Sequence, residues 1–216
     1  MCFSPSSSFI ASSVLSLVGI AALKRTKERA LKFLSALPFV FALQQFLEGF
    51  VWLQIESKAT SVSSWMVWLF LFIAQVFWPL WIPLSFYIPE KMAVQKSILK
   101  YLVFVGFLSA TINAYSLIFF IPNATAGNHH IQYSFSNTTK MELLGHLFYL
   151  FATILSPFVS TLRNASLIGL LLFLSFASSY LFFNEYFVSV WCFFAAMISV
   201  LIYFMDSKKR VVSPTN

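Results

Sequence analysis

The chain has 216 residues, of which 59% are hydrophobic, 19% aromatic and only 10% charged, with a formal net charge of +7. So apolar a composition excludes an ordinary soluble domain, and a β-barrel is excluded because the apolar runs are continuous rather than alternating. The basic excess does not read as a nucleic-acid surface, since the lysines and arginines are scattered over several short loops instead of forming one patch.

Seven runs approach or exceed the length that crosses a bilayer, about 17–25 mostly apolar residues. They cover 7–23, 31–55, 64–88, 98–121, 142–162, 165–183 and 186–205. The reading is an all-α polytopic membrane protein: a single seven-helix transmembrane domain over 1–206 and a cytoplasmic tail at 207–216, with the lipid bilayer as its main partner. The first span is not a cleaved signal, because Met1–Ser8 carries no charge and Lys24, Arg25, Lys27, Arg29 and Lys32 follow the apolar stretch. Lys91, Lys96 and Lys100 follow span three, Arg163 follows span five, and Lys208, Lys209 and Arg210 follow span seven. The opposite loops hold only Lys58 and Lys140. The positive-inside rule therefore sets the N-terminus outside and the C-terminus inside. The longest outer loop, 122–140, contains N-x-T sequons at Asn123 and Asn137, and a further sequon at Asn164 falls on the inner side.

Span two, which runs from inside to outside, contains the stretch Gln44-Gln45-Phe46-Leu47-Glu48-Gly49-Phe50-Val51-Trp52. Helical spacing puts Gln44, Gln45, Glu48 and Trp52 on one face, and Gly49 lets a neighbouring helix come close. A carboxylate at that depth costs about 2.5–3.5 kcal/mol on insertion scales, so Glu48 is expected to be paired, protonated or facing a polar cavity. No other acidic residue lies well inside a span. The alternative for Glu48 is a hydrogen-bonded packing role between helices. Span three carries Phe77-Trp78-Pro79-Leu80-Trp81-Ile82-Pro83, whose two prolines are expected to bend or break the helix. Pro157 should act likewise in span five, and Asn113, Ser178 and Ser179 could add polar lining. In the outer loop Ile131, Tyr133 and Phe135 alternate with polar residues, so the segment from His129 to Phe135 is expected to fold over the helix ends as a short strand or lid.

By the same topology Cys2, His129, His130, His146 and Cys192 all belong to the outer half. Cys, His and Glu are zinc-type ligands, but no pair has the close spacing of a metal motif. A Cys2–Cys192 disulfide is one option and a small apolar filler at Cys192 another. The candidate ligand-binding residues are therefore Gln44, Gln45, Glu48, Trp52, His130, Tyr133, His146, Cys192 and Cys2; neither catalytic residues nor a cofactor can be assigned. Span seven has no lysine for a retinal Schiff base, and the chain has a single aspartate, Asp206, so no Ser-His-Asp arrangement can be assembled.

The opening Met1-Cys2-Phe3-Ser4, Q-Q-x2-E-G-x2-W at 44–52, F-W-P-x-W-x-P at 77–83, the His130–Phe135 segment and S-V-W-C-F-F-A-A at 189–196 together resemble an uncharacterised family of small bacterial multi-span membrane proteins. The resemblance implies that Cys2, Gln45, Glu48, Trp52, Trp78, Pro79, His130, Tyr133 and Cys192 are family-type residues, and that the protein sits in a bacterial inner membrane. In span number and orientation the chain is also similar to sugar-efflux and PQ-loop carriers, though it has no Pro-Gln pair. Seven-span zinc hydrolases of the ceramidase type share its topology but carry histidines in the last span, where this chain has none. Three functions follow. First comes a small-molecule carrier or receptor with an outward-facing polar pocket around Glu48. Second is a membrane-embedded enzyme, metal-dependent or not, acting on a lipid or amphiphile. Third is a non-catalytic scaffold.

Overall fold

The computed structural model describes residues 4–58, 61–62, 65–127, 130–135 and 140–204, and the statements below concern those residues. Cys2, His129, Asn137 and the expected tail at 207–216 lie outside them. The first helix, α1, is Pro5–Arg25, and its start follows from local chemistry. The Ser4 hydroxyl accepts from the Ser7 amide at 3.3 Å and Pro5 occupies the first turn, where its missing N–H costs nothing. Lys24 and Arg25 sit in the last turn, against the negative end of the helix dipole.

After the short helical turns Arg29–Leu31 and Lys32–Ser35, α2 is Leu37–Lys58. The third helix, α3, runs Trp65–Tyr87, α4 is Ala93–Phe119, α5 is Lys140–Val159 and α6 is Ala165–Phe182. The last, α7, is Phe187–Ser199, extended at both ends by 3-10 turns over Asn184–Tyr186 and Val200–Phe204. Six helical segments are long and apolar enough to cross a membrane, in α1, α2, α3, α4, α6 and α7, and a seventh, Leu143–Val159 within α5, is shorter. Large apolar side chains such as Leu17, Tyr101, Phe104, Ile118, Phe173 and Leu181 point away from the bundle, as lipid-facing residues do.

An all-helical chain was expected, and here the structure adds something. Strands β1 (Ser61–Val62), β2 (Pro122–Gly127) and β3 (His130–Phe135) form an antiparallel sheet in the order β1-β2-β3. Ala124 lies opposite Tyr133 and Ala126 opposite Ile131 in the β2–β3 register. Ile131 is completely buried, while Tyr133 and Phe135 pack against the core, so the alternation read in 131–135 does turn one face inward. Tyr133 stacks on Phe70 of α3 with ring centroids 4.7 Å apart. The helices need this cap. Three of their connections reach the same end of the bundle, and pairing the strands satisfies backbone groups that a loose loop would leave buried and unbonded.

The prolines of α3 do not break it. The helix passes from α-form through a π-helical stretch, Phe72–Phe77, and back to α-form at Trp78. Trp78 N–H bonds to Ile73 C=O, five residues back, immediately before Pro79. Pro79 has no N–H to offer the Gln75 carbonyl, and Asn113 of α4 supplies one instead through Nδ2 at 2.9 Å. Pro83 similarly leaves the Pro79 carbonyl without its helical donor. At that point α4 presents Gly106, where an added Cβ would collide with the Pro79 oxygen. Glycine lets the backbones meet there.

The two ends of the bundle differ in charge. Lys24, Arg25, Lys27, Arg29, Lys32, Lys91, Lys96, Lys100 and Arg163 lie at or beside the end opposite the sheet. Several contacts tie that end together. Lys91 pairs with Glu28 at 3.4 Å, and the Arg25 guanidinium lies over the Tyr203 ring at 5.3 Å. The strongest tie is Glu90, only 1% exposed. Its carboxylate accepts from the Thr161 amide at 2.7 Å, the Thr161 hydroxyl at 2.8 Å and the Ser160 hydroxyl at 3.3 Å. It also receives the amides of Lys91 and Met92 at 3.0 and 3.1 Å. One side chain thus holds the α3–α4 loop to the α5–α6 loop.

Candidate functional site

The polar face of α2 points into the bundle. Gln44, Gln45 and Glu48 are each 0% exposed, and Trp52 is 5% exposed, while Leu43, Phe46 and Leu53 on the other face point outward. Gln45 Nε2 donates to Glu48 Oε2 at 3.2 Å within the same helix. The other carboxylate oxygen accepts from the Ser189 hydroxyl of α7 at 2.6 Å. Gln44 Oε1 accepts from Trp78 Nε1 of α3, also at 2.6 Å. Three helices therefore meet over the five-residue stretch Gln44–Glu48 of α2. Gly49 faces α1, where an added Cβ would lie 2.7 Å from the Phe9 ring.

Satisfaction is incomplete. Gln44 Nε2, Gln45 Oε1, Trp52 Nε1 and Trp191 Nε1 are buried and have no hydrogen-bond partner among the described residues. The Cys192 thiol lies beside the Gln44 amide and within electrostatic reach of Glu48. Unpaired buried polar atoms cost about 1–3 kcal/mol each, and those of Gln45 and Trp52 share the face of α2 that carries Glu48.

A cavity of about 20 Å³ lies one helical turn further toward the basic end, along α7 from Ser189 to Cys192. Phe41, Trp78, Tyr149, Thr153, Trp191 and Cys192 contribute to its wall. Its size suits about one water-sized occupant. A polar cavity opening outward beside Glu48, lined by Gln45, Trp52 and at least one of His130, His146 and Cys192, was expected; this cavity shares Cys192 with that expectation, but it lies toward the basic end, its wall is mostly apolar, and neither Gln45 nor Trp52 lines it. The reason is packing. The Ser189–Glu48 hydrogen bond draws α7 onto α2 at the level of Glu48, and this cavity lies below it, where the Phe41 and Trp78 rings stack at 4.0 Å.

The remaining candidates are dispersed. His130, 6% exposed, lies at the start of β3 against the rings of Phe183 and Tyr186, each 5.1 Å away. Tyr133 belongs to the sheet cap through Phe70. His146 stands on the exposed side of α5, while Tyr149, three residues on, faces the cavity. Cys192 is a free, buried thiol, and Cys2 falls outside the described residues. No group of three or more His, Cys, Asp or Glu among the described residues is placed to hold a metal ion.

Two participants escaped sequence reasoning. Ser189 sits three residues before Cys192 and so shares its helical face, but a serine in an apolar span carries no signal of its own. Trp78 was legible only as part of a motif, and its bond to Gln44 spans 34 positions. Asn113, expected as possible pocket lining, is engaged with Gln75 and Ser109 instead.

Comparison with curated proteins and with solved structures finds no match. The motifs at 1–4, 44–52, 77–83, 130–135 and 189–196 that resembled an uncharacterised family are distributed along the whole chain, and so is the family match. Over residues 1–216 the chain fits the model of the Family of unknown function (DUF6629), and it belongs to that family.

Proposed function

We propose that the protein is a seven-span integral membrane protein, N-terminus outside and C-terminus inside, that receives a small hydrogen-bonding solute between α2, α3 and α7. It acts as a carrier or receptor, with Glu48 as the charged group of the pocket. The bacterial inner membrane is the location that the resemblance implies. The observation that carries this reading is the fully enclosed Glu48 carboxyl on a face of α2 where Gln45 Oε1 and Trp52 Nε1 are buried with no hydrogen-bond partner among the described residues. A solute that supplied donors and acceptors there would relieve their desolvation cost. The π-helical stretch of α3, which ends at Trp78, gives one wall of the pocket a backbone of the kind often found at functional sites.

The test is a thermal-shift screen of the purified protein against a library of small solutes, with elemental analysis of the same preparation. Stabilisation by a solute, lost in Glu48→Gln, is the expected result. A metal bound at near one per chain would instead turn the reading toward the enzyme.

The scaffold reading has its own support in the Ser189–Glu48 bond, which by itself is the glue that a structural carboxyl would provide. It expects Glu48 variants to change melting but no solute to do so.

A further inference from the structure

The two loops that Glu90 joins each follow a helix with a weak turn. Pro83 in α3 and Pro157 in α5 have no N–H for the carbonyls four residues back, those of Pro79 and Thr153. Hydroxyls that bond back to helix carbonyls loosen the same turns. Ser85 donates to Trp81 at 2.7 Å, Thr153 to Tyr149 at 2.8 Å and Ser156 to Ala152 at 2.6 Å. Such bonds compete with the helical ladder and favour bending. Before its proline each helix is anchored. In α3, Trp78 Nε1 donates to Gln44 and Trp81 Nε1 donates to the Phe33 carbonyl at 3.1 Å. In α5, the Gly145 carbonyl accepts from the Ser109 hydroxyl of α4 at 2.9 Å. Beyond the prolines, Glu90 of one arm grips Ser160 and Thr161 of the other. Asn164, which leads that second loop into α6, is held at φ 61, a left-handed conformation that persists where surrounding contacts enforce it.

The grip lies between the cavity and the basic end. Ile82 of α3 and Thr153 of α5 both line the cavity, together with Cys192. They precede Glu90 and Thr161 respectively by eight positions, about two helical turns. At the opposite end the sheet closes the bundle with paired strands and the completely buried Ile131. At the basic end the exposed Lys91–Glu28 pair adds little. The five donors to Glu90 are amides and hydroxyls, so water can replace each of them when the loops part at an aqueous surface.

We propose that Glu90 is a latch on the basic end of the bundle, whose release lets the segments beyond Pro83 and Pro157 separate and opens the cavity at Cys192 to that side. The latch rests on the pocket reading above for its purpose, as the solute's route to and from the basic end, while its geometry is independent of that reading. The experiment uses the full chain in native membranes and a Cys2→Ser background, where Cys192 is the remaining thiol. A small membrane-impermeant methanethiosulfonate is applied from either side, and an Arg163→Cys variant marks which side is the basic one. Glu90→Gln should raise the rate at which Cys192 reacts from the basic side about tenfold, the effect of about 1.4 kcal/mol on the opening equilibrium, and leave the sheet side unchanged. A Ser160→Ala/Thr161→Val double variant, which removes the hydroxyl donors alone, should act in the same direction and carries the test if Glu90→Gln does not fold. Asn113→Leu, which weakens an α3–α4 contact away from the latch, should leave the rate as it was. An unchanged rate in the latch variants, an equal rise in Asn113→Leu, or an equal rise from both sides overturns the proposal. Solute binding without any change in Cys192 reactivity keeps the pocket and removes the latch. Reactivity that responds as expected while no solute binds keeps the latch and removes the pocket.

Discussion

At Glu90 one carboxylate receives the amides of Lys91, Met92 and Thr161 and the hydroxyls of Ser160 and Thr161. Burial pushes its pKa up, but the donors, led by the Thr161 amide, outweigh that and hold it below the ordinary glutamate value. A carboxyl depressed in the folded state contributes stability that is complete above its unfolded-state pKa and is lost as pH falls through the folded one. Melting temperature in detergent should therefore drop as pH falls below about 4. Glu90→Gln should flatten that part of the profile while lowering stability at neutral pH by about 1–3 kcal/mol. Glu48 accepts from Gln45 Nε2 and from the Ser189 hydroxyl. Glu48→Gln keeps an acceptor for the Ser189 hydroxyl and should leave the fold intact. Glu48→Leu removes the acceptor of Gln45 Nε2 and breaks the Ser189 bond, at a cost of about 1–3 kcal/mol. If the leucine variant melts no lower than the glutamine variant, the hydrogen bonds carry little of the local stability. The inward placement of Glu48 was legible because an acid in an apolar run must find compensation. That of Glu90 was not, since an acid in a short loop between spans normally sits in water.

Elements in this bundle are shaped by neighbours far away in sequence. Pro79 and Pro83 announced a disturbance in α3, and a bend or break was the reading. The π-helical stretch absorbs it instead, because α4 provides an amide at Asn113 for the Gln75 carbonyl and a bare backbone at Gly106 for the Pro79 carbonyl. Both compensations sit at least 23 positions from the prolines, so no local pattern could reveal them. Gly106→Ala places a methyl on the Pro79 oxygen and forces α3 and α4 apart; the expected loss is about 1–3 kcal/mol. Asn113→Leu should cost a similar amount by orphaning the Gln75 carbonyl. Denaturant titration of the two variants measures both effects, and a double variant should lose less than their sum if the same helix contact is involved. The sheet divides in the same way. Strand β3 was readable from Ile131, Tyr133 and Phe135. Strand β2 begins with a proline and is rich in small polar residues, so only its partner makes it a strand.

Across the whole molecule, chain direction and charge point to the same arrangement. Strand β3 leads toward α5 from the sheet end, and the residues just beyond α5, Ser160 and Thr161, bind Glu90 at the basic end. The 20 residues of α5 reach about 30 Å, enough to cross the hydrocarbon core even though its apolar part is short. The other six helices alternate in the same sense. The connections after α2, α4 and α6 join the sheet cap, and those after α1, α3 and α5 join the basic end. If the basic end is cytoplasmic, as the positive-inside rule requires, the three strands and His130 face the outside. Single cysteines introduced in a Cys2→Ser background test this, Cys192 being buried and slow to react. Ala126 in β2 and Arg163 after α5 are both exposed. In intact cells a membrane-impermeant maleimide should label Ala126→Cys and spare Arg163→Cys until the membrane is opened. Labelling of Arg163→Cys alone would invert the protein in the bilayer and place the Glu48 pocket nearer the cytoplasm. Labelling of both from outside would mean that α5 does not cross, which would remove the seventh span.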